Sequence, residues 1–315
     1  MFFGKKRLEK ENAALRAELE ALHKLAGDSA PEAIPATAAE YWTPDGTRIY
    51  YPPAGLDASP LAEEIIGGVN CLIAGTAGSG KSVLLNSIIY TLLQKTPAEA
   101  SLWLCDPKRV EFRMYKDAPH VGAYAVQHAD IVAVLASACD TMEARYVEME
   151  RRSLRRWNGG EVYVIIDEIA DLMLGPEKKR FQHYLTRLLA VGRAAGFHCI
   201  AATQIPNRQV LPANIVLNFQ SRIALRCLSS IESRQIINTA GAEGLPRYGT
   251  GLFLDSSSGV RRVSIPMTED AEIDALLDYW KNQDVAAYNV ITRAAKRRRE
   301  NQEDTVARAR RIIAA

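Results

Sequence analysis

The sequence predicts an α/β protein built on a mainly parallel sheet with helices on both faces. Between residues 69 and 254, short apolar runs alternate with longer helix-like segments, and this alternation indicates β–α–β units. The composition agrees, because 48% hydrophobic and 24% charged residues are ordinary for a folded protein and exclude a mainly disordered chain. A glycine-rich segment between the first apolar run and the first helix adds a third indication.

The first 58 residues precede this pattern and are predicted to form two different segments. In residues 1–26, four leucines and one asparagine recur at alternating spacings of four and three residues and form a seam along one helix face. This seam predicts a short coiled coil or an amphipathic helix packed on its own domain. Residues 27–58 are predicted to hold an Ala- and Pro-rich linker and then a hairpin at the domain edge around Asp45-Gly46. The seam consists of Leu8, Asn12, Leu15, Leu19 and Leu22.

Residues 59–285 are predicted to form the main domain, and residues 286–315 a basic helical tail rich in arginine. Thr268 is expected to cap the helix that closes the domain. The expected strands are Asn70–Ala74, Ser101–Cys105, Val162–Ile166, His198–Thr203, Ser221–Cys227 and Gly251–Leu254. The expected helices before Thr268 are Lys81–Gln94, Ile131–Arg155, Lys178–Ala195 and Ile231–Thr239.

Charge, hydropathy and cysteine usage exclude several classes of protein. The chain has 39 Lys+Arg against 37 Asp+Glu, so only local clusters of charge argue for nucleic acid. No apolar run approaches the ~18 residues that a membrane-spanning helix needs, and the start lacks the apolar stretch of a signal peptide. The five cysteines are scattered without a CxxC pair, which predicts buried reduced thiols in a cytoplasmic protein.

The strongest chemical motif lies between the first strand and the first helix. Gly75, Gly80, Lys81 and Ser82 fit the pattern GxxxxGK[ST], in which backbone N–H groups wrap phosphate oxygens at a helix N-terminus. Lys81 is expected to neutralise the β- and γ-phosphates of ATP, and the Ser82 hydroxyl to ligate Mg²⁺. The predicted nucleotide-binding residues are Gly75, Thr76, Ala77, Gly78, Ser79, Gly80, Lys81, Ser82 and Val83.

Two further strands end in polar residues that suit ATP hydrolysis. The apolar run 161–166 ends in Asp167 and Glu168; Asp167 is expected to face the Mg²⁺, and Glu168 to polarise the attacking water. The run HCIAATQ ends in Gln204, a candidate sensor of the γ-phosphate. Polar residues at strand ends and acidic residues at helix starts are common, so both motifs gain their weight from the loop before them.

The order of motifs resembles the motor domain of the FtsK/SpoIIIE double-stranded DNA translocases, within the FtsK–HerA group of P-loop ATPases. The resemblance covers roughly residues 60–285 and includes strings that are not generic to P-loop proteins. It implies a RecA-like domain of the ASCE type, a hexameric ring with ATP between subunits, and DNA in the pore. The matching strings are LIAGTAGSGKSV, LCDPKRVEF, MEARY, VIIDEIADLM, GRAAGFHCIAATQ, SRIALRC, SSIESRQIINTAGAEGLPRYGTGLF and DALLDYWKNQ.

The resemblance also assigns catalytic roles. It implies that Lys81, Glu168 and Gln204 act on the bound nucleotide and that an arginine reaches the neighbouring subunit's γ-phosphate. Arg193, in GRAAG, is the first candidate for that arginine and Arg222 the second; the alternative for either is a salt bridge or a cation at a helix end. Asp106 and Lys108, in DPK, are expected to couple the second strand to nucleotide or pore.

The chain departs from the family pattern in several places. It has TQIP where the family often has TQRP, and we find no sequence for the family's membrane segment, α domain or winged helix. We therefore expect an accessory ATPase of a phage, plasmid or integrative element rather than a membrane-anchored chromosome translocase.

Clusters of basic residues are the candidates for contact with DNA. Four arginines before Asn158 lie beside Trp157, and such a cluster can follow phosphates without reading sequence. The alternative is a solvated helix end, where cations are favoured in any case. The candidates are Lys108, Arg109, Arg151, Arg152, Arg155 and Arg156.

Three functions are compatible with the sequence. The first is an ATP-driven pump or translocase of double-stranded DNA. The second is a coupling ATPase of a secretion or conjugation system, held at the membrane by a protein partner that binds residues 1–25. The third is a nucleotide-gated scaffold without hydrolysis, which the presence of both Lys81 and Glu168 disfavours.

Overall fold

The computed structural model describes residues 40–42, 48–50, 60–68, 70–255, 259–265 and 267–282. It divides into two units, one of which spans residues 57–281. In the other unit, β1 (Glu40–Trp42) and β2 (Arg48–Tyr50) pair antiparallel, with Tyr41 opposite Ile49. The predicted coiled coil or helix of residues 1–26 and the basic tail of residues 286–315 lie outside the described residues.

The larger unit is built on one mainly parallel sheet, as the sequence predicts. Its strands are β3 (Cys71–Ala74), β4 (Ala100–Cys105), β5 (Val121–Ala125), β6 (Glu161–Ile166), β7 (Phe197–Thr203), β8 (Ser221–Ala224), β9 (Thr250–Asp255) and β10 (Gly259–Ser264). Within the described residues their spatial order is β10-β9-β8-β3-β7-β6-β4-β5. The strands from β8 to β5 run parallel, and β9 and β10 add an antiparallel edge. The insertion of β7 between β3 and β6 is the ASCE arrangement that we expected.

Helices cover both faces of this sheet. They are α1 (Pro60–Gly67), α2 (Lys81–Leu93), α3 (His128–Arg151), α4 (Ile169–Leu174), α5 (Lys178–Val191), α6 (Ala213–Val216), α7 (Ser230–Ile237) and α8 (Asp270–Asn282). Leu72 and Ala74 of β3 join an apolar cluster with residues of α3, α4, α5, α6 and α7. Side chains alternate along a strand, so the equally buried Cys71 and Ile73 face the other side. Burial on both sides explains why the central strands read as continuous apolar runs.

Several element boundaries differ from the sequence prediction. The strand β8 ends at Ala224, α3 ends at Arg151, and α5 ends at Val191 before a 3₁₀ turn at Gly192–Ala195. The strands β5 and β10 were not predicted, because VGAYA is weakly apolar and GVRRVS carries two arginines. Both lie at edges of the sheet, where a strand buries less of its surface.

The start of α8 corrects one capping prediction. The helix begins at Asp270, so Glu269 rather than Thr268 precedes its first residue. The Glu269 backbone N–H donates to the Glu272 carboxylate at 2.8 Å. This bond satisfies one of the backbone N–H groups that have no partner within the helix at its first turn. The Thr268 hydroxyl instead lies 2.8 Å from the Ser87 hydroxyl of α2.

The five cysteines are buried free thiols, as predicted. Within the part of the chain that the structure describes, no helix is long and apolar enough to cross a membrane.

Candidate nucleotide site

The glycine-rich loop connects the carboxyl end of β3 to the start of α2, where the motif requires it. Gly80 adopts φ +100°, a left-handed backbone conformation that residues with a Cβ rarely take. A Cβ at Gly75 would lie 2.6 Å from Ser79 Oγ and 2.8 Å from Leu225 Cβ. The Gly75 N–H donates to Thr203 O of β7, and the Thr76 N–H to Arg226 O beyond β8. The loop is therefore anchored to both strands that flank β3.

The Lys81 side chain is folded into this loop. Its Nζ donates to Gly75 O at 2.7 Å and to Thr76 O at 2.8 Å. Burial lowers the pKa of Lys81 to about 8, and the carboxylate of Glu168 is the strongest charge that opposes this shift. The ammonium is thus held at the loop and in the field of Glu168.

Ser82 and Asp167 bring oxygen atoms to the same edge. The Ser82 hydroxyl donates to Glu111 Oε1 at 2.7 Å. Asp167 follows β6 directly, and its N–H donates to Cys105 O of β4. Burial, and next the charge of Glu111, raise the pKa of Asp167 to about 7. A carboxyl group in such a crowded negative field gains from a nearby cation.

Glu168 is fixed by two other parts of the chain. The Gln204 N–H, at the end of β7, reaches Glu168 Oε1 at 3.1 Å and Oε2 at 3.2 Å. Lys108 Nζ donates to Oε2 at 2.9 Å. The Glu168 side chain is only 5% exposed, whereas that of Lys108 is 38% exposed.

The oxygen donors at this edge fit Mg²⁺. The Ser82 hydroxyl and the Asp167 carboxylate are hard ligands, and Mg²⁺ is usually held by one or two such groups together with substrate phosphates and water. In the described part of the chain, no three His, Cys, Asp or Glu side chains close around a metal position by themselves.

The structure separates Arg193 from the predicted loop residues and buries Arg222 within a strand. Arg193 is exposed in the 3₁₀ turn before β7. This turn lies at the amino edge of the sheet, and a seven-residue strand spans roughly 20 Å, so Arg193 is remote from the loop of its own subunit. Arg222 lies within β8, is 8% exposed, and its Nε has no partner among the described residues. Arg193 is therefore the candidate that is accessible to a neighbour.

The DNA-contact candidates fall into two places. Lys108 and Arg109 follow β4 at the nucleotide edge, where Lys108 pairs with Glu168 and Arg109 is exposed with φ +62°. The other four lie at the carboxyl end of α3 and just beyond it, near the amino edge; they are Arg151, which ends α3, and Arg152, Arg155 and Arg156, all exposed. Arg151 donates to Glu148 at 2.6 and 2.8 Å.

Trp157 is part of the framework that supports the amino edge. Its backbone N–H donates to Ala194 O at 2.8 Å. This bond joins the arginine segment to the turn that holds Arg193. The Arg145 guanidinium lies 4.8 Å from the ring centroids of both Trp157 and Phe197. The ring that we associated with DNA therefore packs against a cation of its own chain.

Two residues of the site were not predicted from the sequence. Glu111 lies in the matched string DPKRVEF, but nothing in its spacing pointed to Ser82, 29 positions earlier. Arg247 Nη2 lies 3.1 Å from the position that a Cβ on Gly78 would occupy. No pattern in the sequence indicated that Arg247 reaches the loop.

Comparison with known proteins identifies the family. The family model described as FtsK/SpoIIIE family matches residues 45–161 and 160–208. A protein from Campylobacter jejuni named DNA translocase FtsK is 36% identical over 234 residues, 69% of this chain and 25% of its own length. A DNA translocase FtsK from Brucella melitensis is 32% identical over 277 residues, 74% of this chain and 34% of its own length. The chain therefore spans a quarter to a third of these curated relatives.

Solved structures agree on the fold. The cytoplasmic domain of the type VII secretion ATPase EccC from Thermomonospora curvata has a TM-score of 0.58 at 20% identity, covering 78% of this chain and 30% of its own. The pCW3 conjugation coupling protein TcpA, solved with ATPγS, has a TM-score of 0.58 at 21% identity, covering 79% and 72%. These likenesses confirm the P-loop ATPase fold.

Proposed function

The chain belongs to the FtsK/SpoIIIE family, and on this premise we propose that it is an ATP-hydrolysing translocase of double-stranded DNA that works as a ring of identical subunits, expected to be a hexamer. The observation that carries the proposal is the meeting of a phosphate-binding ammonium and a fixed carboxylate at one edge. Lys81, the first residue of α2, donates to Gly75 O and Thr76 O of the glycine-rich loop. Glu168, held by the backbone N–H of Gln204, is the strongest charge that opposes the lowering of the pKa of Lys81.

Each site residue has a defined task in this proposal. The loop from Gly75 to Val83 binds the phosphates, with Lys81 on the β- and γ-phosphates. Glu168 accepts the proton of the attacking water, and Gln204 senses the γ-phosphate. Ser82 and Asp167 would hold Mg²⁺, which neutralises phosphate charge when it is bound.

Glu168 must change partners before it can act. In this structure Lys108 donates to Oε2 while Gln204 donates to both oxygens. A carboxylate whose lone pairs are taken by an ammonium is a weaker base. Lys108 holds Glu168 through a flexible, 38% exposed side chain, whereas Gln204 holds it through a backbone N–H. We therefore assign the present arrangement to a resting state that ends when Lys108 leaves.

Contacts to a neighbouring subunit and to DNA belong to the proposal as well. Arg193 is assigned to the neighbour's γ-phosphate, because it is exposed and too far from its own loop. Arg151, Arg152, Arg155 and Arg156 are assigned to DNA phosphates, a contact that depends strongly on salt. A cytoplasmic location completes the proposal and is supported by the five reduced thiols.

The experiment is ATP hydrolysis with and without long double-stranded DNA, at low and high salt, with Lys81→Ala as control. The proposal expects strong stimulation by DNA that falls at high salt and is absent in Lys81→Ala. Hydrolysis that is indifferent to DNA would contradict it and favour the coupling ATPase, whose partner would then be sought with residues 1–25. Absence of hydrolysis under all conditions would favour the scaffold.

A further inference from the structure

The Ser82 hydroxyl has a fixed orientation in this structure. Its Oγ lies 2.7 Å from Glu111 Oε1. An ionised carboxylate only accepts hydrogen bonds, so the hydroxyl hydrogen points to Glu111 and the oxygen lone pairs point elsewhere. A cation binds a hydroxyl through those lone pairs. The contact therefore leaves Ser82 oriented as a metal ligand rather than as a donor to phosphate.

The segment that carries Glu111 is anchored on both sides of this contact. The next residue, Phe112, is fully buried, and its N–H donates to Asp106 Oδ2 at 3.1 Å. Asp106 is also fully buried. The Tyr115 hydroxyl, a few residues on, donates to Asn86 Oδ1 of α2 at 3.0 Å. Glu111 thus reaches Ser82 from a rigid support, which distinguishes it from a surface carboxylate that meets a hydroxyl by chance.

Glu111 also contributes charge to the edge. Among the carboxylates around Asp167, it acts on that residue more strongly than Asp106 or Glu168. Glu111 therefore lies near both expected ligands, the Ser82 hydroxyl and the Asp167 carboxyl group.

We infer that Glu111 is a positioning residue of the magnesium site, which holds the Ser82 hydroxyl so that its lone pairs face the cation. The inference rests on the proposed function, since Mg²⁺ arrives there with the nucleotide. It assigns a metal-binding purpose to the last acidic residue of DPKRVEF, outside the glycine-rich loop and outside the Asp-Glu pair.

The test compares the affinity of a fluorescent ADP analogue in Mg²⁺ and in EDTA, so it does not depend on turnover. The full chain is used as wild type, Glu111→Ala, Glu111→Gln and, as a matched control, Asp117→Ala. Asp117 is an exposed carboxylate of the same segment, 3.9 Å from Lys116. The gain from Mg²⁺ is the ratio of the affinity in Mg²⁺ to the affinity in EDTA. We expect Glu111→Ala to reduce this gain by about 10- to 100-fold, with unchanged affinity in EDTA.

The two other variants should keep the gain from Mg²⁺. Glu111→Gln retains an amide oxygen that can accept from Ser82, and Asp117→Ala leaves the contact untouched. An equal loss of affinity in Mg²⁺ and in EDTA for Glu111→Ala would point to a purely structural role and overturn the inference. An unchanged gain in that variant would overturn it as well.

A double-mutant cycle tests whether Glu111 acts through Ser82. In a Ser82→Ala background, Glu111→Ala should have no further effect on the gain from Mg²⁺. Additive losses would show that Glu111 acts independently of the hydroxyl and would contradict the inference. If wild type binds no nucleotide at all, the proposed function itself fails. If wild type binds nucleotide without a gain from Mg²⁺, only the magnesium site and this inference fail.

Discussion

The two ends of the parallel strands differ in how their charges are partnered. At the carboxyl edge, Lys81, Glu168 and Ser82 are each hydrogen bonded within the chain. At the amino edge, Arg155, Arg156 and Arg193 are exposed, and none has an ion pair with a carboxylate in the described part of the chain. The side chains at the carboxyl edge thus have partners within the chain, whereas Arg155, Arg156 and Arg193 at the amino edge present exposed guanidinium groups.

This difference matters because the proposed function assigns two ligands to the amino edge. Arg193 is assigned to the nucleotide of a neighbouring subunit, and the arginines after α3 to DNA. The Trp157 N–H bonded to Ala194 O places the two segments side by side. Five predictions follow the two edges from the largest expected effect to the smallest, and the first and the last of them separate these assignments.

The first prediction concerns Arg193. In the proposed ring, Arg193→Ala should lower hydrolysis by about 1,000-fold, the scale of an arginine that stabilises phosphoryl transfer. Mixing Arg193→Ala subunits with Lys81→Ala subunits should restore activity, because some interfaces then combine an intact loop with an intact arginine. Arg222→Ala, buried within β8, should not be rescued in such a mixture. Failure of the Arg193 mixture to regain activity, with assembly unchanged, would reassign that residue.

The second prediction is that the free energy of unfolding depends on pH through a histidine near the amino edge. His120 is buried, lies 2.7 Å from Lys95 O through Nε2, and stacks edge-on with Trp280. Burial lowers the pKa of His120 to about 4 from 6.5. Between pH 4 and 6.5 the unfolded chain therefore binds more protons than the folded one, so the free energy of unfolding rises with pH in that window. His120 contributes about 3 kcal/mol above this window, and that contribution is lost as the pH falls through it.

Urea unfolding from pH 4 to pH 7 measures this effect. Wild type should lose stability as the pH falls from 6.5 towards 4, and His120→Gln should flatten that slope. An identical slope in the variant would mean that other groups cause the dependence.

The third prediction concerns Glu168. Glu168→Gln should reduce hydrolysis by about 100-fold, the contribution of a general base. Binding of ATP should persist, because the loop and Lys81 are intact. Equilibrium binding of a fluorescent ATP analogue checks the second part, and a variant that hydrolyses at the wild-type rate would exclude Glu168 as the base.

These outcomes depend on features that the sequence predicted unequally. The strands β3, β6 and β7 and the residues at their carboxyl ends were predictable. Burial on both faces imposes apolar runs, and the loop motif requires a strand before it and a helix after it. Glu111 was not, since its contact with Ser82 arises from the folding of the segment between β4 and β5. Arg247 approaches Gly78 only through the tertiary arrangement of the chain after α7. The packing of Trp157 on Arg145 was not predicted either, because an aromatic beside arginines has the same sequence whatever its ring contacts.

The fourth prediction tests the resting state. Lys108→Ala should raise hydrolysis without DNA by about threefold to tenfold, because a charge-assisted bond to the base is removed. Stimulation by DNA should fall correspondingly. Lys116→Ala is the matched control, since Lys116 is exposed and lies 3.9 Å from Asp117. A lower DNA-free rate in Lys108→Ala would show that Lys108 supports catalysis instead.

The fifth prediction concerns DNA at the amino edge. The double variant Arg155→Ala/Arg156→Ala should bind duplex DNA about three- to tenfold more weakly, with a salt slope reduced by about 1 for each lost phosphate contact. Arg151→Ala should have a smaller effect, because its guanidinium already pairs with Glu148. Equal slopes in all three proteins would remove this cluster from the DNA contact and leave the edge to the neighbouring subunit.

The central claim is that hydrolysis at the carboxyl edge drives movement along duplex DNA. Displacement of a third strand annealed to a long duplex measures that movement directly, with Glu168→Gln as the control that binds ATP without turnover. The account predicts ATP-dependent displacement by wild type and none by Glu168→Gln. Hydrolysis by wild type that DNA stimulates but that never displaces the third strand would contradict it.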